Sequence, residues 1–151
     1  MKPLIVGEIN PYGHDERFAL YPYPDGCAGE RLCHMVMGLN RKTYLDSFDR
    51  VNLLQQDRWS APAARASANR LAVLDAEYRR TYVLLGRKVS EAFALYECAM
   101  PSLVRRGDVS AIVVLPHPSG RNRAWNDPGL VATCRKILRE VLPNIPFGGA
   151  S

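Results

Sequence analysis

The 151-residue sequence predicts an α/β protein: a three-layer αβα sandwich around a central four-stranded parallel sheet. Three observations carry this. Short apolar runs at Leu4–Val6, Arg50–Leu54, Tyr82–Leu85 and Ala111–Val114 alternate with stretches of helical spacing, the pattern of strands joined by crossover helices. Most of these runs are continuously apolar rather than alternating, as strands covered on both faces are. The length suits one domain, residues 1–151, able to bury a core without staples.

Taken in order, Leu4-Ile5-Val6 is the first strand, closed by Gly7, after which Glu8 to His14 turns sharply. Phe18-Ala19-Leu20-Tyr21-Pro22-Tyr23-Pro24 is aromatic and proline-rich and reads as an extended loop. A helix is expected from Ala28 to Leu39, with Leu32, Met35, Val36 and Leu39 at helical spacing. The second strand carries a polar residue, Asn52, in an apolar row. Ser60-Ala61-Pro62 opens the next helix, with Ser as cap and Pro in the first turn, and Leu71, Leu74 and Tyr78 form its core stripe. After the third strand and Gly86, a helix from Arg87 to Tyr96 is expected to turn Val89, Ala92, Phe93 and Tyr96 inward. Asp127-Pro128 starts the last helix, Pro143 stops it, and the tail from Phe147 is expected to fray.

Composition narrows the class. No apolar run approaches membrane-spanning length, and the apolar part of Met1–Gly7 is too short for a signal peptide, so a cytoplasmic location is expected. The net charge of +5, with Arg far outnumbering Lys, suits recognition of phosphates by planar bidentate donors. Cys27, Cys33, Cys98 and Cys134 lack metal-site spacing and read as free thiols.

The fourth strand runs into Leu115-Pro116-His117-Pro118-Ser119-Gly120-Arg121-Asn122-Arg123, which is poor core material. Two prolines bracket His117 and restrict the backbone on both sides, and Gly120 is read as freeing the backbone ahead of two guanidinium groups. In parallel sheets ligands bind beyond the carboxyl ends of the strands, which gathers Asn10, Asn52, Gly86 and His117 on one rim.

Two motifs resemble those of the uracil-DNA glycosylase superfamily: Gly7-Glu8-Ile9-Asn10-Pro11-Tyr12 after the first strand, and His117-Pro118-Ser119-Gly120-Arg121-Asn122-Arg123 after the last. Val51-Asn52-Leu53 is similar to the strand whose Asn reads the base. The resemblance covers nearly the whole chain and implies an enzyme of base-excision DNA repair that flips a uracil or related modified pyrimidine out of DNA and hydrolyses its N-glycosidic bond. It implies that His117 donates to the charge growing on the base O2, and that the first motif positions the attacking water. Asn10 is the favoured match for that water-positioning group because Pro11 and Tyr12 follow it in family order; Glu8 is the alternative. Asn52 would pair with the base edge, Tyr12 would crowd C5, and Phe18, Tyr21 or Tyr23 would stack on the ring, with spacing slightly favouring Tyr23. Ser119, Gly120, Arg121, Asn122 and Arg123 would contact DNA, with Arg121 where many members carry a wedging Leu.

The iron–sulfur cluster of some members uses cysteines ahead of the first motif, and none stands there, so the expected hydrolysis needs no cofactor and no metal. DNA is the expected partner, and a monomer the expected state. Two other functions stay open at this point. One is a glycosylase-fold module that binds or senses DNA without hydrolysis, motivated by the amide at Asn10. The other is an enzyme acting on a free nucleotide or nucleoside.

Overall fold

The computed structural model describes residues 1–10, 13, 15–55, 58–75, 79–105 and 111–148. Among these, β1 (Leu4–Ile9), β2 (Asp49–Leu54), β3 (Tyr82–Leu85), β4 (Ser102–Arg105) and β5 (Ala111–Leu115) form one sheet in the order β2-β1-β3-β5-β4. The four strands expected from sequence are its parallel part, and β4 adds an antiparallel edge against β5. Gly7 does not close β1. It sits in the ladder opposite Asn52, and the strand continues to Ile9, paired with Leu54.

Alternation along the strands divides the core between two helical layers. Ile5, Val83, Leu85, Val113 and Leu115 pack under α1 (Ala28–Glu30) with its π-helical continuation Arg31–Val36, α2 (Arg41–Ser47) and α5 (Leu130–Val141). Leu4, Val6, Tyr82, Leu84, Ile112 and Val114 face α3 (Ala61–Leu74) and α4 (Arg87–Ala92). Both faces of the parallel strands are therefore covered, which accounts for their unbroken apolar reading. Burial also pushes the Cys33 thiol up to about 11 and the Cys134 thiol up to about 12, keeping both protonated.

Several helix details differ from expectation. The inward stripe of α3 is buried Ala64 and Ala68 followed by partly buried Leu71, and its next position is Asp75, which pairs with Arg80 at 3.0 Å and accepts from the Tyr82 hydroxyl at 2.7 Å. Leu74 falls off this stripe and is 69% exposed, while Tyr78 lies outside the described residues. Helix α4 stops at Ala92, and Ala94 turns the chain at φ +61°. Tyr96 consequently points outward, 54% exposed, under the Arg65 guanidinium. Helix α5 begins at Leu130 because the Asp127 carboxylate accepts from the Gly129 N–H at 2.9 Å, making a turn before the first helical residue.

The tail is pinned as far as Gly148. Phe147 is buried beside Phe48, and Arg135 bridges Gly148 to the Met35 and Val36 carbonyls at the end of the π-helical segment. These bonds fix the layer that forms one wall of the site.

Leu138→Ala should lower unfolding free energy by about 2–5 kcal/mol, because it empties a fully buried position in α5. Leu74→Ala should stay within about 0.5 kcal/mol. Urea denaturation of both variants measures the contrast.

Candidate active site

The parallel strands deliver their carboxyl ends to one cavity of about 580 Å³. Glu8 and Asn10 reach it from the end of β1, Asn52 from β2, and His117 from the loop after β5. Phe18, Tyr21 and Tyr23 form an aromatic wall, and Leu20, Ala28 and Gly29 close the apolar side. Residues distant in sequence thus meet because the strands are parallel and in register.

Asn52 is only 4% exposed, and its side-chain amide makes no hydrogen bond among the described residues. Gly7 makes room for it: a Cβ at position 7 would lie 2.6 Å from Asn52 Oδ1 and 3.1 Å from Leu20. A glycine inside a strand often marks such a close approach. A buried amide without a protein partner, facing a cavity, offers one donor and one acceptor to a ligand.

His117 is held from three sides. Its Nδ1 accepts the Ser119 backbone N–H at 3.1 Å. Its carbonyl accepts from the Trp125 indole at 2.8 Å and from the Asn122 side-chain amide at 3.0 Å. Gly86, at φ +87°, lets the turn after β3 pack closely, since a Cβ there would meet His117 Cβ at 3.1 Å and Glu8 Oε2 at 3.7 Å. With Nδ1 accepting, the neutral ring carries its proton on Nε2. Burial pushes the imidazole below its ordinary value, the Glu8 carboxylate opposes that, and Lys88 adds to it. The site therefore holds a neutral imidazole donor near pH 7.

Asn10 Nδ2 lies 3.5 Å from the Asp15 carbonyl, a long contact. Glu8 has its carboxylate beside His117. Tyr23 is 60% exposed, with the Arg41 guanidinium 5.0 Å from its ring centre, and Phe18 meets Tyr21 edge-on at 5.3 Å. Tyr12 lies outside the described residues.

The segment after His117 does not line the cavity. Arg121 and Arg123 are exposed beside it, and Ser119 Oγ accepts the Arg121 N–H. The Asn122 side chain braces the loop itself, donating to His117 O and accepting from Ala124 N. Sequence reasoning missed the Trp125 anchor and Arg31, whose Nε donates to the Pro118 carbonyl at 2.7 Å. Neither carries a local signal, because each acts on a segment it meets only in the fold. Among the described residues, no group of three His, Cys, Asp or Glu could hold a metal ion.

Two outcomes follow. Gly7→Ala should displace the Asn52 amide, read as a shift of its side-chain amide resonances by NMR. The His117 imidazole should titrate below about 6.5 by NMR, with the proton on Nε2 when neutral. The unfolded chain then takes up this proton first, so stability from this group is full above about pH 6.5 and declines as pH falls toward the lowered native value. His117→Gln should abolish that part of the pH dependence.

No curated protein matches the chain significantly. The family description "Uracil DNA glycosylase superfamily" matches residues 2–141, a span that includes every strand of the sheet and all the cavity residues. With that match over most of its length and a mostly parallel α/β sheet carrying the two motifs at its strand ends, the chain belongs to the uracil DNA glycosylase superfamily.

Proposed function

We propose that the protein is a monofunctional DNA glycosylase that hydrolyses the N-glycosidic bond of uracil or a related modified pyrimidine. The observation that carries this reading is the pairing, in one cavity, of a buried, unpartnered amide at Asn52 with a neutral imidazole donor at His117.

In this reading the extruded base enters edge-first. The Asn52 amide pairs with the Watson–Crick edge, and the aromatic wall covers a ring face. As the glycosidic bond lengthens, negative charge gathers on the base O2. His117 Nε2–H donates to it, stabilising the transition state more than the ground state. The preorganised loop makes this effective, because the imidazole needs no reorganisation as charge develops.

The sugar becomes cation-like at the same moment, and water must attack its C1′. Asn10 can orient that water but cannot accept its proton. Glu8 can accept it, and the carboxylate's position beside His117 favours Glu8 for the base role, with Asn10 holding the water. Ser119, Arg121 and Arg123 then contact backbone phosphates, with Arg121 closest in role to a wedge.

A uracil-containing oligonucleotide incubated with the protein and treated with alkali should break at the lesion. Across a panel of uracil, hydroxymethyluracil, thymine mismatch and hypoxanthine substrates, failure to release any base overturns the proposal. His117→Ala should slow single-turnover release about 10²–10³-fold while leaving DNA affinity nearly unchanged. Glu8→Gln should cost about 10²–10⁴-fold, more than Asn10→Ala. The opposite ranking would rule out Glu8 as the base and leave Asn10 as the residue on which water attack depends.

A further inference from the structure

Arg31 opens the π-helical segment and reaches across to the loop that follows His117. Its Nε donates to the Pro118 carbonyl at 2.7 Å, which fixes the plane of the guanidinium. Neither terminal nitrogen has a hydrogen-bond partner among the described residues. The same group lies against Gly120: a Cβ there would stand 3.8 Å from Arg31 Cζ and 3.9 Å from Nη1.

Gly120 itself is informative. It is outside the left-handed region, so its backbone does not demand glycine. An added Cβ would make only ordinary contacts, so packing does not demand glycine either. The group nearest to the space a side chain here would fill is the guanidinium of half-buried Arg31. The loop is exposed at this point, and Arg121 and Arg123 follow within three residues.

We propose that Arg31 is a phosphate ligand, clamping a backbone phosphate of the nucleic-acid strand through the opening at Gly120. A guanidinium with one edge bound to protein and the remaining donors open suits a phosphate in fixed orientation, because its donors are held in a rigid planar fork. The assignment rests on the glycosylase reading for the identity of the strand, since the clamped phosphate belongs to the one carrying the flipped nucleotide. It also gives the bond to Pro118 a second role. Phosphate binding would press on the same loop that aims His117, coupling backbone capture to placement of the imidazole.

The test is the salt dependence of binding to a short oligonucleotide carrying a tetrahydrofuran abasic analogue, followed by fluorescence anisotropy. Removing one phosphate contact should reduce the slope of log K against log salt by about 0.7 for a single strand or 0.9 for a duplex. Arg31→Gln should show that loss with affinity down about tenfold or more. Arg31→Lys, which keeps the charge, should keep the slope and lose only part of the affinity. Gly120→Ala should melt like the wild type yet bind several-fold more weakly. An unchanged slope in Arg31→Gln, with base release by the wild type intact, overturns the role of Arg31 alone. A wild-type protein that neither releases base nor binds the oligonucleotide in a salt-dependent way overturns both readings.

Discussion

The carbonyl of His117 is the hinge on which the site depends. One oxygen accepts from the Trp125 indole and from the Asn122 amide, and the ring above it accepts from Ser119. Pro116 and Pro118 on either side leave the backbone few alternatives. A side chain on a loop is normally free to change rotamer, and here main-chain and side-chain contacts remove that freedom together. The imidazole is a useful donor because its direction is set before any ligand arrives.

Asn52 expresses the opposite economy. A buried amide lacking a partner typically destabilises a fold by about 1–3 kcal/mol. The sheet tolerates it because Gly7 gives the side chain space in the neighbouring strand and the cavity gives it something to face. Local cost of this kind is what a recognition role for Asn52, as proposed above, would require. The well-packed apolar clusters on both faces of the sheet supply the margin.

Much of this was legible in the chain itself. The parallel strands announce themselves as continuous apolar runs, and the carboxyl-end rule alone gathers Asn10, Asn52, Gly86 and His117 on one rim. Helix interiors were less legible where a polar network overrode the apolar pattern. At the end of α3, Asp75 takes the inward position that Leu74 was expected to hold, because its bonds to Arg80 and Tyr82 span three elements. The edge strand β4 is only four residues long and follows a proline, too short for any periodicity to show. Helix α2 had only its cap as a signal, the Asn40 side chain accepting from Thr43 N. The tail at Phe147 read as frayed because the arginines that hold it, Arg135 and Arg139, bind carbonyls, which leave no trace in sequence.

The strand order has a consequence for how such a pocket can diversify. Asn52 rides on β2 and His117 follows β5, with β1 and β3 between them. Three inter-strand spacings of about 4.8 Å put those two backbones about 14 Å apart. That width is a property of hydrogen-bonded ladders and comes in whole steps. Point substitutions can reshape the aromatic wall between Phe18 and Tyr23, while the span between Asn52 and His117 stays fixed for as long as the sheet does.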